Sequence, residues 1–313
     1  MADYKALRGI TIHTVDGDPS NPIAGQIWYN SSSKAIKGYK LGAGNWATGN
    51  DSNQKHGYGA MFGIQTAAVH AGGSVPPRTA DSETYDGTSW TEGNNMQNLR
   101  SSSRACGTAT AGLVAGGYGT PAQINKTEEY DGTNWTEGNA LGTTRSNTAT
   151  GGIQTAAVQL CGSIPGYPGN VSNVEEYDGT SWTEVTDMPS GRNRLVYFGT
   201  QTAGVQVYGQ DVLHYDGTNW TEGGDVPAGI TVGGSCGTQT AGFCWFNNVT
   251  MTYDGTSWTE QSDTNIARQE QGGCGTTTAA LDNSGEGISP SAKSVTTEEW
   301  NDPFAQTVTF TSS

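Results

Sequence analysis

Small, hydroxylated and aromatic residues run along most of the chain in short stretches closed by turn-forming residues, a pattern that predicts many short strands. Around residue 110 the reading is explicit. Residues 104–108 predict a strand, Ala109-Thr110 a turn, 112–116 a second strand and 126–130 a third. Asp131-Gly132-Thr133-Asn134 predicts a tight turn, and 135–137 opens a fourth strand. Asp-Gly suits such a turn because glycine takes positive φ without steric cost and Asp tolerates it.

The same four-strand unit recurs. Tyr-Asp-Gly-Thr-(Ser/Asn)-Trp-Thr-Glu begins at Tyr85, Tyr130, Tyr177, Tyr215 and Tyr253, with its aromatic partners at Trp90, Trp135, Trp182, Trp220 and Trp258. Degenerate copies surround Trp300 and run from Tyr39 to Trp46. A second motif, Gly-x-x-Thr-Ala or a near variant, begins at Gly63, Gly107, Gly152, Gly199, Gly237 and Gly275. Each Trp precedes the next motif Gly by 17 residues, from 46 to 63 through 258 to 275. The step from that Gly to the next Tyr, or to Trp300, varies from 16 to 25. One connection is therefore fixed and another is free. Four short strands per repeat, with Tyr and Trp filling the wedge between neighbours, predict an all-β propeller. The segment 7–48 can supply four strands in register (9–15, 26–30, 36–40 and 45–48), which favours seven blades. The alternative is six blades plus an N-terminal β-hairpin module.

Composition sharpens this reading. The chain has 313 residues, 46 of them Gly and only 14% charged, which excludes a helical bundle. Its formal net charge is −15, which argues against nucleic acid as a partner because phosphate binding needs clustered Lys and Arg. Residues 1–55 hold six basic groups and four Asp, whereas 56–313 hold nine basic and 26 acidic groups. The expected organisation is a divergent segment at 1–55 and propeller repeats over 56–313. No apolar run reaches membrane-spanning length, no signal peptide is read at the N-terminus, and the five Cys, with no CxxC pair, predict free buried thiols.

The repeat wording resembles a family. Gly72-Gly73 and Gly116-Gly117 followed by Tyr and then Trp resemble a kelch-type repeat. The stretches 199–204 and 237–242, with 128–136 and 175–183, resemble kelch-like virion proteins of marine tailed bacteriophages, cyanophages among them. The opening Gly25-Gln26-Ile27-Trp28-Tyr29-Asn30, followed by 34–39, resembles β-hairpin segments of phage virion proteins. The resemblance implies a virion component with no catalytic chemistry and no cofactor.

In such a blade the a–b and c–d turns share one face, and the length-variable b–c loops share the other with the d–a connectors. Repeats one, two, three and six carry long b–c loops, such as 162–174 with Pro165 and Pro168, or 282–297; repeats four and five carry short ones. Variable loops on a rigid scaffold are where recognition usually sits. Arg100, Arg145, Arg192 and Arg268 lie seven residues before the motif Gly, with His56 and Ile230 at the same position in the other repeats. They are candidates for an anion or glycan surface, or for side chains that lock each d–a connector onto backbone carbonyls or a neighbouring Glu. Asp86, Asp131, Asp178, Asp216 and Asp254 read as turn caps rather than calcium ligands, and Glu92, Glu137, Glu184, Glu222 and Glu260 as solvent-facing. Asp16-Gly17-Asp18-Pro19 reads as a turn before a metal site. Cys106, Cys236 and Cys274 share a register with Phe62, Gly151 and Phe198, which suggests packing rather than a metal. His13, His56, His70 and His214 are scattered, and no catalytic motif occurs.

The expected function is a non-enzymatic phage virion protein of the tail or tail fibre, presenting a propeller to the host surface or to other virion proteins. Docking is expected through residues 1–55, without nucleic acid or membrane insertion, and in multiple copies per virion. Capsid decoration and a carbohydrate-binding propeller are the rival readings.

Overall fold

The computed structural model describes residues 12–23, 25–74, 77–166, 169–287, 294–302 and 304–310, and every regular element in them is a β-strand. The chain forms two compact units: Asn45–Asn301, and a smaller one made of Met1–Gly44 with Asp302–Ser313.

The larger unit is a propeller of six four-stranded antiparallel sheets. Blade 2 shows the plan, with strand a at Arg104–Thr108, b at Ala111–Ala115, c at Thr127–Tyr130 and d at Trp135–Gly138. The other inner strands are Ala60–Ile64, Ala149–Ile153, Val196–Thr200, Gly234–Thr238 and Gly272–Gly275, and each packs against its two neighbours so that the sixth meets the first. The a–b turn is tight because its glycine bends at positive φ. At Gly63 (φ 110°) a β-carbon would sit 2.3 Å from the Ala67 carbonyl oxygen. Tyr and Trp of each repeat are cross-strand partners with ring centroids 4.6–4.9 Å apart. They pack against the preceding blade: Tyr130 and Trp135 sit with Phe62 and Val69, and Tyr253 with Val205 and Val207.

Six blades replace the seven expected, and the reason is a shared repeat. The last blade takes strands a, b and c from Gly272–Gly275, Ala279–Asn283 and Thr297–Asn301, and its strand d from Asn45–Thr48. Trp300 pairs with Trp46, so the two degenerate copies are the two halves of one motif. Trp46 obeys the 17-residue step because it belongs to the ring. The rest of the N-terminal segment does not. His13–Val15, Ile27–Asn30 and Ala35–Gly42 form a separate sheet, completed by Phe304–Phe310. The expected strand over 9–15 falls partly outside the described residues. In that smaller unit Trp28 is fully buried, and the Asp18 carboxylate accepts from Trp28 Nε1, Asn30 Nδ2 and Lys37 Nζ. Asp18 is thus a structural acceptor, its carboxyl held below the usual range first by Lys37. The division between units falls at Gly44, not at residue 55, and the C-terminal strand returns to the smaller unit.

A second closure lies at the entry to the inner strands. Tyr58, Ser102, Asn147, Arg194, Val232 and Glu270 each sit five residues before a motif Gly, and all have positive φ, from 30° to 66°. Their backbones form one head-to-tail cycle. Ser102 N donates to Tyr58 O, Asn147 N to Ser102 O, Arg194 N to Asn147 O, Val232 N to Arg194 O, Glu270 N to Val232 O, and Tyr58 N to Glu270 O, over 2.7–3.3 Å.

Trp46 is almost fully buried, touches the rings of Phe243, Trp245 and Trp300, and donates from Nε1 to Thr250 Oγ1 at 3.0 Å. Trp46→Ala is expected to lower unfolding free energy by about 3–5 kcal/mol in urea titration. A loss below ~1 kcal/mol would contradict its place in the seam.

Candidate functional site

The loop face is set by the connection between strands b and c. In blades 4 and 5 it is a two-residue turn, Gly209-Gln210 between paired Tyr208 and Asp211, and Asn247-Asn248 between Phe246 and Val249. In blades 1, 2, 3 and 6 the chain leaves strand b through two successive positive-φ residues: Gly72-Gly73, Gly116-Gly117, Cys161-Gly162 and Ser284-Gly285. Within the long loop of blade 3, Pro165 is described and Pro168 lies outside the described residues.

Each long loop is fastened at its base by a buried polar side chain, an arginine in blades 2, 3 and 6 and a histidine in blade 1. Arg100 Nη1 donates to the carbonyls of Gly116 (3.0 Å) and Lys126 (2.8 Å), and Nη2 meets Glu128 Oε1 at 2.5 Å. Arg145 repeats this with Cys161 O, Asn173 O and Glu175 Oε1, and Arg268 with Ser284 O, Thr296 O and Glu298 Oε2. His56 takes the same place in blade 1, with Nδ1 2.7 Å from Gly72 O and Nε2 3.0 Å from Glu83 Oε2. Each carboxylate also accepts from backbone N–H groups of the d–a connector: Asn53 and Gln54 on Glu83, Gln97 and Asn98 on Glu128, Gly142 and Thr143 on Glu175, and Asn265 on Glu298. One ion pair therefore joins the loop base, the outer strands and the connector. Blades 4 and 5 have Leu213 and Met251 in place of the Glu. There Ile230 is buried among apolar side chains, and Arg192 turns outward to Asp211 (3.0 Å) with its guanidinium over Tyr208.

The candidate arginine surface is thus corrected. The guanidinium groups of Arg100, Arg145 and Arg268 are fully buried and bonded within their own blades, so they form no anion- or glycan-binding ring. Of the four, Arg192 alone keeps part of its side chain at the surface. Burial lowers the Arg100 and Arg145 pKa values while the paired Glu opposes it, and both remain cations at neutral pH. The Asp caps behave as expected: in all five turns one carboxylate oxygen accepts two backbone N–H groups, which hold the carboxyl below its usual range. The five Glu following the Trp by two are exposed.

Around the axis the structure gathers residues that the sequence left apart. The ring places Arg194 in an ion pair with Glu270, whose other oxygen lies 3.9 Å from Arg104 Nη2. Tyr58 donates to Glu286 Oε2 at 3.0 Å, and burial, with Glu270 nearby, raises its hydroxyl to about 12. His56 and His70 lie with ring centroids 4.6 Å apart. His70 is fully buried beside Asn283, and its pKa is driven well below the usual value by burial and then by His56. Cys106, Cys236 and Cys274 line the wider end of the axial channel with Phe62 and Phe198, and burial pushes the Cys106 thiol up to about 12. All five cysteines are free and buried. Among the described residues no group of three or more His, Cys, Asp or Glu is placed to hold a metal ion, and no helix is long and apolar enough to cross a membrane.

No family model matches the sequence, and no curated protein matches it. The solved structure of YjhT is similar to this chain, with a TM-score of 0.69 at 10% sequence identity, over 83% of this chain and 99% of that one. At that identity the likeness shows the fold alone, an all-β propeller.

Two measurements test the buried chemistry. Arg145→Ile leaves Glu175 uncompensated and is expected to cost about 3–5 kcal/mol. Adding Glu175→Met, the pairing blade 5 uses naturally, recovers part of that loss; simple additivity of the two single variants in urea unfolding would refute the coupling. The second is a pH profile. Asp282, buried beside Arg268 and Glu298, has its pKa raised by burial to about 6, so the native state holds its proton between pH ~4 and 6 and stability falls as pH rises there. His70 has the opposite sign, because its proton is bound in the unfolded state at pH below ~6.5 and excluded from the native one, so stability rises with pH. Asp282→Asn should steepen the loss of stability on acidification and His70→Asn should flatten it. Slopes that move together would exclude this assignment.

Proposed function

We propose that the chain is a non-enzymatic virion protein of a tailed bacteriophage, carried on the tail or its fibres, that holds a rigid propeller out for contact with the host surface or a neighbouring virion protein. The observation that carries this reading is the division of the chain into two compact units of unlike charge. The propeller over Asn45–Asn301 has ten basic and 26 acidic groups, whereas the smaller unit has five basic and four acidic. A scaffold with anchored loops of unequal length suits display, and a separate, nearly neutral unit suits attachment. The repeat wording, which resembles that of kelch-like virion proteins of marine phages, supports the virion context. Arg100, Arg145, Arg268 and the five turn aspartates are occupied in holding loops and turns, which supports a binding or structural role over a catalytic one.

The test is the position of the full-length protein in purified particles, by antibody labelling and quantitative mass spectrometry. A few to tens of copies on the tail are expected. Hundreds on the head would replace the proposal with capsid decoration, and absence from the particle would end it.

A further inference from the structure

We infer that a cleft on the loop face, between the long loops of blades 6, 1 and 2, binds a neutral saccharide through adjacent hydroxyl groups. The inference rests on the outward display proposed above and gives the host-surface partner a chemical class. The cleft has a volume of about 350 Å³ and is lined by Tyr58, Ser74, Arg78, Ser101, Ser102 and Glu286. Small-ligand sites run from roughly 300 to 1,000 Å³, so one sugar unit is of the right scale. Three blades supply the lining. Arg78 opens strand c of blade 1 opposite Ser74, at the foot of that blade's long loop. Glu286 stands in the long loop of blade 6, paired with Gln269. Tyr58 and Ser102 belong to the backbone cycle, and Ser101 exchanges backbone hydrogen bonds with Tyr118 in the loop of blade 2.

The lining offers donors and acceptors together. Arg78 Nε donates to Ser101 Oγ at 3.1 Å, and the guanidinium carbon lies 4.2 Å from the centre of the Tyr118 ring. The guanidinium plane is therefore clamped, while among the described residues neither Nη atom is in a hydrogen bond or ion pair. A cation already held in one plane loses little freedom when it binds. Glu286 accepts from the Tyr58 hydroxyl on Oε2 at 3.0 Å, and a carboxylate has room for about four such bonds. The hydroxyls of Ser74 and Ser102 enter no hydrogen bond among the described residues. This mixture selects against other classes of ligand. An anion meets Glu286, and a cation meets Arg78. An apolar ligand would take water from charged groups without replacing its bonds. Sugar hydroxyls each donate and accept, so neighbouring ones on a single ring can take the Arg78 fork and give to Glu286 and the serines. The registered arginines have no part in this site, since Arg100, Arg145 and Arg268 are paired inside their own blades.

The probes are the methyl glycosides of glucose, galactose, mannose and rhamnose, with glucuronate and glucosamine as charged controls, read by saturation-transfer NMR on the full-length protein. At least one neutral glycoside should bind saturably, at one per chain and more tightly than either charged sugar. Arg78→Met and Glu286→Gln should each weaken that binding at least tenfold, and Arg192→Met, in blade 4, should leave it unchanged. Crystals of the unaltered protein soaked in that glycoside should hold it between Arg78 and Glu286, a readout that stands even if a variant does not fold. No binding by any neutral glycoside, equal or tighter binding of a charged sugar, full binding by Arg78→Met, or a sugar seated elsewhere would overturn the inference. A tail protein that binds no sugar keeps the display reading and ends this one; a sugar-binding protein absent from particles does the reverse.

Discussion

The propeller depends on closure, and closure is made by the backbone. Six N–H groups and six carbonyls, one of each from every blade, form an unbroken cycle where the chain turns into the inner strands. None of the six residues is glycine, so each carries the steric cost of positive φ, of order 1–2 kcal/mol per residue. That cost is tolerated because every member both donates and accepts within the cycle. Removing one blade breaks two bonds and leaves two buried groups unpaired. The cycle explains why the spacing from Trp to the motif Gly is invariant: the connector must deliver the fifth residue before that Gly to the same place in each blade.

Loop length is governed by a different economy. A two-residue turn satisfies its own backbone, and blades 4 and 5 place Leu213 and Met251 on strand c at the matching position. A longer loop opens the end of strand b and exposes two carbonyls at its base. The blades with long loops meet those carbonyls with Arg100, Arg145, Arg268 or His56, and each of these side chains is paired with a Glu from strand c. The buried pair is a condition of having a long loop, and the loop beyond its base is free to differ among blades. Arg192 shows the converse. Without a Glu at that position it finds its partner, Asp211, at the surface.

Much of this was legible in the sequence. The four strands of blade 2 lie within a residue of where turn chemistry put them, and the 17-residue step placed Trp46 in the ring. Three things were not. The backbone cycle has no residue signature, since Tyr, Ser, Asn, Arg, Val and Glu all serve. The blade count depended on seeing that one degenerate motif ends where another begins; counting both as repeats gave seven. The role of the registered arginines had a signal that went unread. Glu83, Glu128, Glu175 and Glu298 stand two residues before the motif aromatic in the repeats with long loops, and Leu or Met replaces them in the others. The meeting of Arg104, Arg194 and Glu270 could not be read from repeat logic, because those residues are the ones that differ between blades.

The shared last blade also sets an order of events during synthesis. Asn45–Thr48 leaves the ribosome long before its partner strand, since Thr48 pairs with Glu298, about 250 residues later. At roughly 5–20 residues per second that is a wait of some 12–50 s. Through that interval Trp46 and an unpaired strand edge belong to a nascent chain whose five complete blades can already form, stacked in an open arc. The final seam then joins the earliest propeller strand to the latest, so the arc becomes a ring only when translation of the repeats is complete.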